Sequence, residues 1–237
     1  LSVLVADPKE LKTVIKEFDR YKITGMTGVN TLYNALLNNE DFRKADWNHL
    51  QFVAAGGTAL QKSVALKWEE LTNKIISEGY GMTEASPVVS SNPKGATKLG
   101  TVGVPVPSTE LRIVDESGKA LPLGEIGEIQ VRGPQVMKGY YNKAEETAQT
   151  ITQDGWLNTG DIGKMDEEGY LQIVDRKKDM IIVSGFNVYP NEIEDVVALH
   201  PKVLEAAAIG VPHEKSGECV KVFVVKKDKS LNEDELI

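Results

Sequence analysis

Leu50-Gln51-Phe52-Val53-Ala54-Ala55-Gly56-Gly57-Thr58 is an apolar run that ends on paired glycines and leads into a helical pattern from about Leu60 to Asn73. Strand, glycine turn and helix in that order make one βα step of a parallel sheet. The same alternation is expected upstream. LSVLVA (Leu1 to Ala6) reads as a strand, and Asp7-Pro8-Lys9-Glu10 as an N-cap, an N1 proline and a capping-box acid. Leu11, Val14, Ile15 and Phe18 follow at helical spacing, then a short ITGMTG strand and a helix near Thr31 to Asn38.

Downstream the pattern changes. From about Leu99 to Val174, LRIV and KALP flank the turn Asp115-Glu116-Ser117-Gly118, and IGKM and YLQIVD flank Asp166-Glu167-Glu168-Gly169. Hairpins with glycine-ended turns predict an antiparallel unit. Beyond it come the charged run Asp175 to Asp179, an apolar MIIV strand, a helix near Asn191 to Leu199, and strands around Ala206 to Gly210 and Val220 to Val225. The expected fold class is α/β. A parallel α/β layer (1–98) is followed by an antiparallel β-barrel-like subdomain (99–174), a hinge (175–179) and a truncated small α+β domain (180–237). Five consecutive charged residues place the hinge, because such a run rarely enters a core.

Composition excludes several classes. Of the 237 residues, 41% are hydrophobic, and 35 Asp plus Glu outweigh 27 Lys plus Arg for a net charge of -8. That balance argues against a reader of nucleic acid. Cys219 is the only cysteine, so no internal disulfide or Cys-based zinc site forms, and a reducing cytoplasm is expected. No apolar run nears the ~18 residues of a membrane helix. The strand-like opening, and a capping-box pattern at Ser230-Leu-Asn-Glu233 that stops at Ile237, read as the ends of a piece of a longer protein.

Several stretches carry groups suited to chemistry. Gly56, Gly57 and Thr58 end a strand where α/β sheets bind ligands, although paired glycines alone read equally well as a tight turn. Glu78-Gly-Tyr-Gly-Met-Thr-Glu84 sets an aromatic face, a hydroxyl and a carboxylate close together. Tyr80 suits stacking on a base, Thr83 a phosphate oxygen, and Glu84 a hard cation such as Mg²⁺, although the stretch reads equally well as a surface loop with a chance Thr-Glu pair. In Trp156-Leu-Asn-Thr-Gly-Asp161 the carboxylate suits the vicinal hydroxyls of a ribose, or simply its own turn. Arg176 in the charged run is able to fork onto phosphate, although such a run is more often a solvated linker. His49, His200 and His213 lie far apart with no metal-ligand spacing.

The ordered series GYGMTE (79–84), GEIQVRGPQVMKGYY (127–141), NTGDIG (158–163) and IVDRKKDMIIVSGFNVYPNEIE (173–194) resembles the AMP-forming adenylating superfamily of acyl-CoA synthetases, luciferases and peptide-synthetase adenylation domains. VSGFNVYPNEIEDVV and TGVNTLYNALLNN are similar to the bacterial long-chain fatty-acid CoA ligases. The resemblance implies a two-step reaction: a carboxylate attacks the α-phosphate of MgATP, and coenzyme A then displaces AMP. It implies ATP, Mg²⁺ and coenzyme A as cofactor or co-substrates and a fatty acid as partner. Gly56, Gly57 and Thr58 would lie beside adenine and the acyl group, Tyr80 with Gly81 and Met82 on the adenine, Thr83 at the α-phosphate and Glu84 on Mg²⁺. Asp161 would take the ribose, Arg176 the ribose or phosphate, Asp175 the hinge, and Gly185 the coenzyme A channel. A cytoplasmic enzyme is implied, with peripheral contact to the inner membrane face and a homodimer left open. The family's phosphate loop would precede Leu1 and its catalytic lysine would follow Ile237, so these 237 residues by themselves are expected to be inactive. Ile182 stands where many relatives have a lysine. An aryl or amino-acid ligase, or a non-catalytic nucleotide-binding module, is the alternative.

Overall fold

The computed structural model describes residues 2–7 and 9–236. Leu11–Tyr21 (α1) turns Ile15 and Phe18 inward, as its spacing predicts. The expected proline at its N-terminus, Pro8, lies outside the described residues. Residues 2–6 form no strand, a correction to the expectation for LSVLVA. Of these, Leu4 is exposed, so the run is not packed into a core.

Next come Gly25–Gly28 (β1), Asn30–Leu37 (α2), Glu40–Arg43 (α3), Phe52–Ala55 (β2), Lys62–Thr72 (α4), Ser77–Gly81 (β3), Val88–Ser91 (β4) and Val104–Pro105 (β5). They build a mixed sheet in the order β1-β2-β3-β4-β5. β1, β2 and β3 are parallel, and β4 and β5 continue antiparallel, so the sheet runs past residue 98. The α/β expectation holds for its first half. Beside the sheet lies an aromatic core. Trp68 and Phe42 are fully buried with ring centroids 5.8 Å apart, and Tyr33 meets Trp68 edge-on at 4.9 Å. The Tyr33 hydroxyl donates to the Ala54 carbonyl at 2.6 Å, pinning α2 to β2.

Glu110–Val114 (β6), Gly127–Arg132 (β7), Ala144–Thr150 (α5), Leu157–Met165 (β8) and Leu171–Arg176 (β9) follow. The strands form an antiparallel sheet in chain order. It is an open meander: β6 and β9 stay at opposite edges, so nothing closes it into a barrel. The two glycine-ended turns form as predicted. Asp115 Oδ1 accepts from the Ser117 and Lys119 amides, and Asp166 Oδ1 from those of Glu168 and Tyr170. KALP, however, makes only one bridge, between Ala120 and Val114.

Ile181–Val183 (β10), Phe186–Val188 (β11), Pro190–Ala198 (α6), Val203–His213 (β12) and Gly217–Lys226 (β13) complete the chain as a third sheet ordered β11-β10-β13-β12. Asn232, not Ser230, caps the short turn at Glu233–Glu235. No helix among the described residues is long and apolar enough to cross a membrane.

Truncating Trp68 to Ala empties the centre of the aromatic core. Urea unfolding should show a loss of about 3–5 kcal/mol, while a loss below about 1 kcal/mol would mean that the core closes over the gap.

Candidate functional site

β2 and β3 end side by side, and their carboxyl ends open into a cleft of 1680 Å³. This is where an open α/β sheet presents its loops to a ligand. Ala55, Gly57 and Thr58 line it beyond β2, and Glu78 to Glu84 along and beyond β3. The antiparallel sheet supplies Thr159, Gly160 and Asp161, the charged run Asp175 to Asp179, and α6 the acids Glu192, Glu194 and Asp195.

Gly81 is required by sterics, since a Cβ there would run into the Pro87 carbonyl. The chain can therefore fold back after Tyr80, and Thr83–Ala85 makes a single 3-10 turn that presents Thr83 and Glu84 to the cleft. Tyr80 donates its hydroxyl to Asp161 Oδ2 at 2.5 Å, joining the mixed sheet to β8. Asp161 pairs in register with Arg176 across β8 and β9, and Arg176 Nε stands 3.9 Å from Asp161 Oδ1. Burial pushes the Asp161 carboxyl up, while the Tyr80 hydroxyl and the Arg176 guanidinium draw it down. Burial likewise drives the Tyr80 phenol well above its ordinary range, and the Asp161 charge reinforces the shift.

Of the residues singled out from sequence, the cleft gathers Gly57, Thr58, Tyr80, Gly81, Met82, Thr83, Glu84, Asp161, Asp175 and Arg176. Gly56 lies just behind this wall, where an added Cβ would sit 3.4 Å from the Gly79 carbonyl. Gly185 is elsewhere, exposed at φ +85 in the turn between β10 and β11. Asp175 departs from the reading of its charged run: it is only 4% exposed. Its carboxylate accepts from the Arg176 amide at 2.7 Å and, through the other oxygen, from the Asn191 amide at 3.0 Å, capping the first turn of α6. Asn191 Nδ2 returns a bond to the Val174 carbonyl at 3.2 Å. A buried acid is thus satisfied by a helix N-terminus.

Three contributors had no assigned role in the sequence. Tyr140 donates its hydroxyl to Glu84 Oε1 at 2.9 Å, and Met137 N donates to the Glu84 carbonyl at 2.8 Å. Glu128 contacts the loop before Asp161. Both Tyr140 and Glu128 fall inside the quoted GEIQVRGPQVMKGYY stretch, but their partners lie 56 and 32 residues away, beyond any local pattern. The third is Glu78. Burial pushes its carboxyl up to about 7, with amide hydrogen bonds from Gly100 and Leu60 opposing and Asp195 on α6 reinforcing. Among the described residues no three His, Cys, Asp or Glu side chains converge to hold a metal by themselves.

A glycine-framed crevice at the strand ends, flanked by a tyrosine bonded to a carboxylate that an arginine approaches, has the form of a ligand site in an open α/β protein. Residues 2–141 match the family model described as AMP-binding enzyme, and residues 192–237 the AMP-binding enzyme C-terminal domain. The chain belongs to the AMP-binding enzyme family. It is 57% identical, over 100% of its length and 42% of the relative's, to the long-chain-fatty-acid–CoA ligase of Yersinia pestis. With that of Bacillus subtilis (strain 168) it shares 44% over 97% of its length and 41% of the relative's. The crystal structure of an anthranilate CoA ligase in complex with anthranoyl-AMP matches at a TM-score of 0.89 and 32% identity, covering 99% of this chain and 45% of that one. ATP-bound MatB from Rhodopseudomonas palustris matches at 0.86 and 37%, covering 97% and 45%. The chain therefore spans about two fifths of the curated relatives it matches.

Glu78 has a measurable consequence. Its folded-state pKa lies above the ordinary carboxylate value, so the protonated form favours folding. That contribution is full at low pH and is lost as pH rises through about 7. Thermal unfolding of the wild type should fall between about pH 5 and pH 8, and Glu78→Gln should flatten the profile and be more stable at the upper end by about 2 kcal/mol. Parallel profiles would remove Glu78 as the cause.

Proposed function

We propose that the chain forms part of a fatty acyl-CoA ligase that activates a long-chain fatty acid with ATP. The carboxylate attacks the α-phosphate, expelling pyrophosphate to give acyl-AMP, and the thiol of coenzyme A then displaces AMP. The observation that carries the proposal is the contact of Tyr80, Asp161 and Arg176 on the wall of a cleft shared with Thr83 and Glu84. The long-chain-fatty-acid–CoA ligases it resembles over its whole length support the choice of substrate.

In this reading the Tyr80 ring packs on the base beside Gly81 and Met82, while Gly56, Gly57 and Thr58 border the adenine and the acyl group. Asp161 accepts the ribose hydroxyls, Arg176 approaches ribose or phosphate, and Thr83 donates to an α-phosphate oxygen. Glu84 fits as a ligand to Mg²⁺, because Tyr140 engages Oε1 and leaves Oε2 without a protein partner among the described residues. One carboxylate with substrate phosphates is an ordinary Mg²⁺ environment. Bound there, the ion would neutralise charge on the phosphates. Asp175 serves as the hinge, and a place for Gly185 in a coenzyme A channel requires the third sheet to turn about it.

Acid-dependent AMP formation by the full-length protein tests the reaction. AMP should rise with MgATP, coenzyme A and long fatty acids, whereas AMP formed only with an aryl acid would reassign the substrate. Asp161→Ala should raise the KM for ATP by about 10–100-fold, the equivalent of losing a charge-assisted hydrogen-bond pair. An unchanged KM would refute the ribose assignment.

A further inference from the structure

The strand that carries Asp161 is held on one side only: β9 pairs with it at Asp161, while the ladder to β7 lapses there. β7 and β8 pair Glu128 with Ile162 and then Gln130 with Asn158, so Thr159, Gly160 and Asp161 stand opposite Ile129 alone. Extra residues on one strand make a bulge, and bulges beside sites re-aim side chains while leaving backbone groups unpaired. Here side chains replace the missing ladder. The Thr159 hydroxyl donates to the Ile129 carbonyl at 2.8 Å and accepts from the Asp161 amide at 3.1 Å. Gly160, at φ +72, turns its amide to Glu128 Oε1 at 3.2 Å.

The other oxygen of Glu128 reaches across to β9's end. Lys177 Nζ donates to Oε2 at 2.7 Å, and the Lys177 amide donates to the Gly160 carbonyl at 2.8 Å. The Glu128 side chain is 15% exposed and that of Lys177 51%, so Glu128 is the sheltered end of the pair. Gly160 and Lys177 are the immediate neighbours of Asp161 and Arg176. One carboxylate therefore ties together the two backbone segments on which the Asp161 and Arg176 pair is mounted.

We propose that Glu128 is a positioning residue for the nucleotide site: by holding the Gly160 amide and the Lys177 ammonium it fixes the Thr159 to Asp161 bulge and aims the Asp161 carboxylate at the ribose diol. This rests on the reading of Asp161 given above. Glu128 itself touches no substrate. Its loss loosens the bulge and lets the Asp161 carboxylate leave the ribose position, so the largest effect falls on recognition of the ribose hydroxyls, with a smaller one at Tyr80, which donates to Asp161.

Binding of ATP and of 2′,3′-dideoxy-ATP to the full-length protein, measured calorimetrically, separates this from general damage. Wild type should prefer ATP by about 10-fold or more, the discrimination that a buried carboxylate on two hydroxyls provides. Glu128→Ala should cut that preference about 10-fold with a much smaller change in dideoxy-ATP affinity, while Glu128→Gln and Lys177→Met should each cut it by about 2–3-fold, since the Gly160 amide keeps an acceptor. Should Glu128→Ala fail to fold, the two milder variants carry the test. A wild type that binds both nucleotides equally would defeat the ribose reading itself. A wild type that discriminates, with variants that discriminate equally well, would overturn the role of Glu128 alone.

Discussion

The hydrogen bond from Tyr80 to Asp161 is the constraint on which the cleft depends. It joins the end of a strand in the mixed sheet to the bulge of the antiparallel sheet, and it is buried enough to push both groups toward their neutral forms. A short bond of this kind gains strength in low dielectric and would be costly to leave half made. Around it the packing of the two sheets follows. Ala85 and Val89, just after Tyr80, are buried in one cluster with Ile129, Val131 and Leu157 from the second sheet, with Tyr80 and Met82 packed against it. Apolar contact holds the sheets together, and the hydrogen bond sets where the polar groups stand.

A second constraint lies at Asp175. A buried carboxylate is ordinarily expensive, and here the amides of Arg176 and Asn191 take both oxygens. The third sheet is tied to the second through these bonds and the return bond from Asn191 to the Val174 carbonyl. All of them cluster at one short segment, which itself lines the cleft. Further bonds join the third sheet to α2 and its C-terminal end: Asn34 Nδ2 donates to the Leu204 carbonyl at 3.3 Å, and Lys227 Nζ to Asn38 Oδ1 at 3.2 Å. The acids of α6 then face Glu78 across the cleft, which is why Asp195 contributes to the raised pKa of Glu78.

Much of the fold was legible where local rules suffice. The apolar LQFVAA run became β2, the helical spacing of Leu11, Val14, Ile15 and Phe18 became α1, and both Asp-to-Gly turns formed with their side chains capping the backbone. Misreadings arose where the deciding partner is distant. LSVLVA has the composition of a strand, but its residues 2–6 form none, and KALP holds a single bridge. The antiparallel sheet stays open because no hydrogen-bonding partner brings β6 to β9. Asp175 looked like part of a solvated charge run, yet the helix terminus that buries it begins fifteen residues later.

The sequence by itself determined the chemical inventory: a glycine that lets the chain fold back after Tyr80, a threonine and a glutamate on the next turn, and an aspartate behind Gly160. These follow from residue type and spacing of a few positions, which local sterics and hydrogen bonding govern. Only the tertiary structure decided how the inventory is aimed. Glu128 and Lys177, Tyr140 and Glu84, and Tyr80 and Asp161 meet across 49, 56 and 81 residues of chain. Contacts of that separation are set by strand order, by register and by the bulge at Thr159 to Asp161, none of which leaves a periodic trace in the sequence.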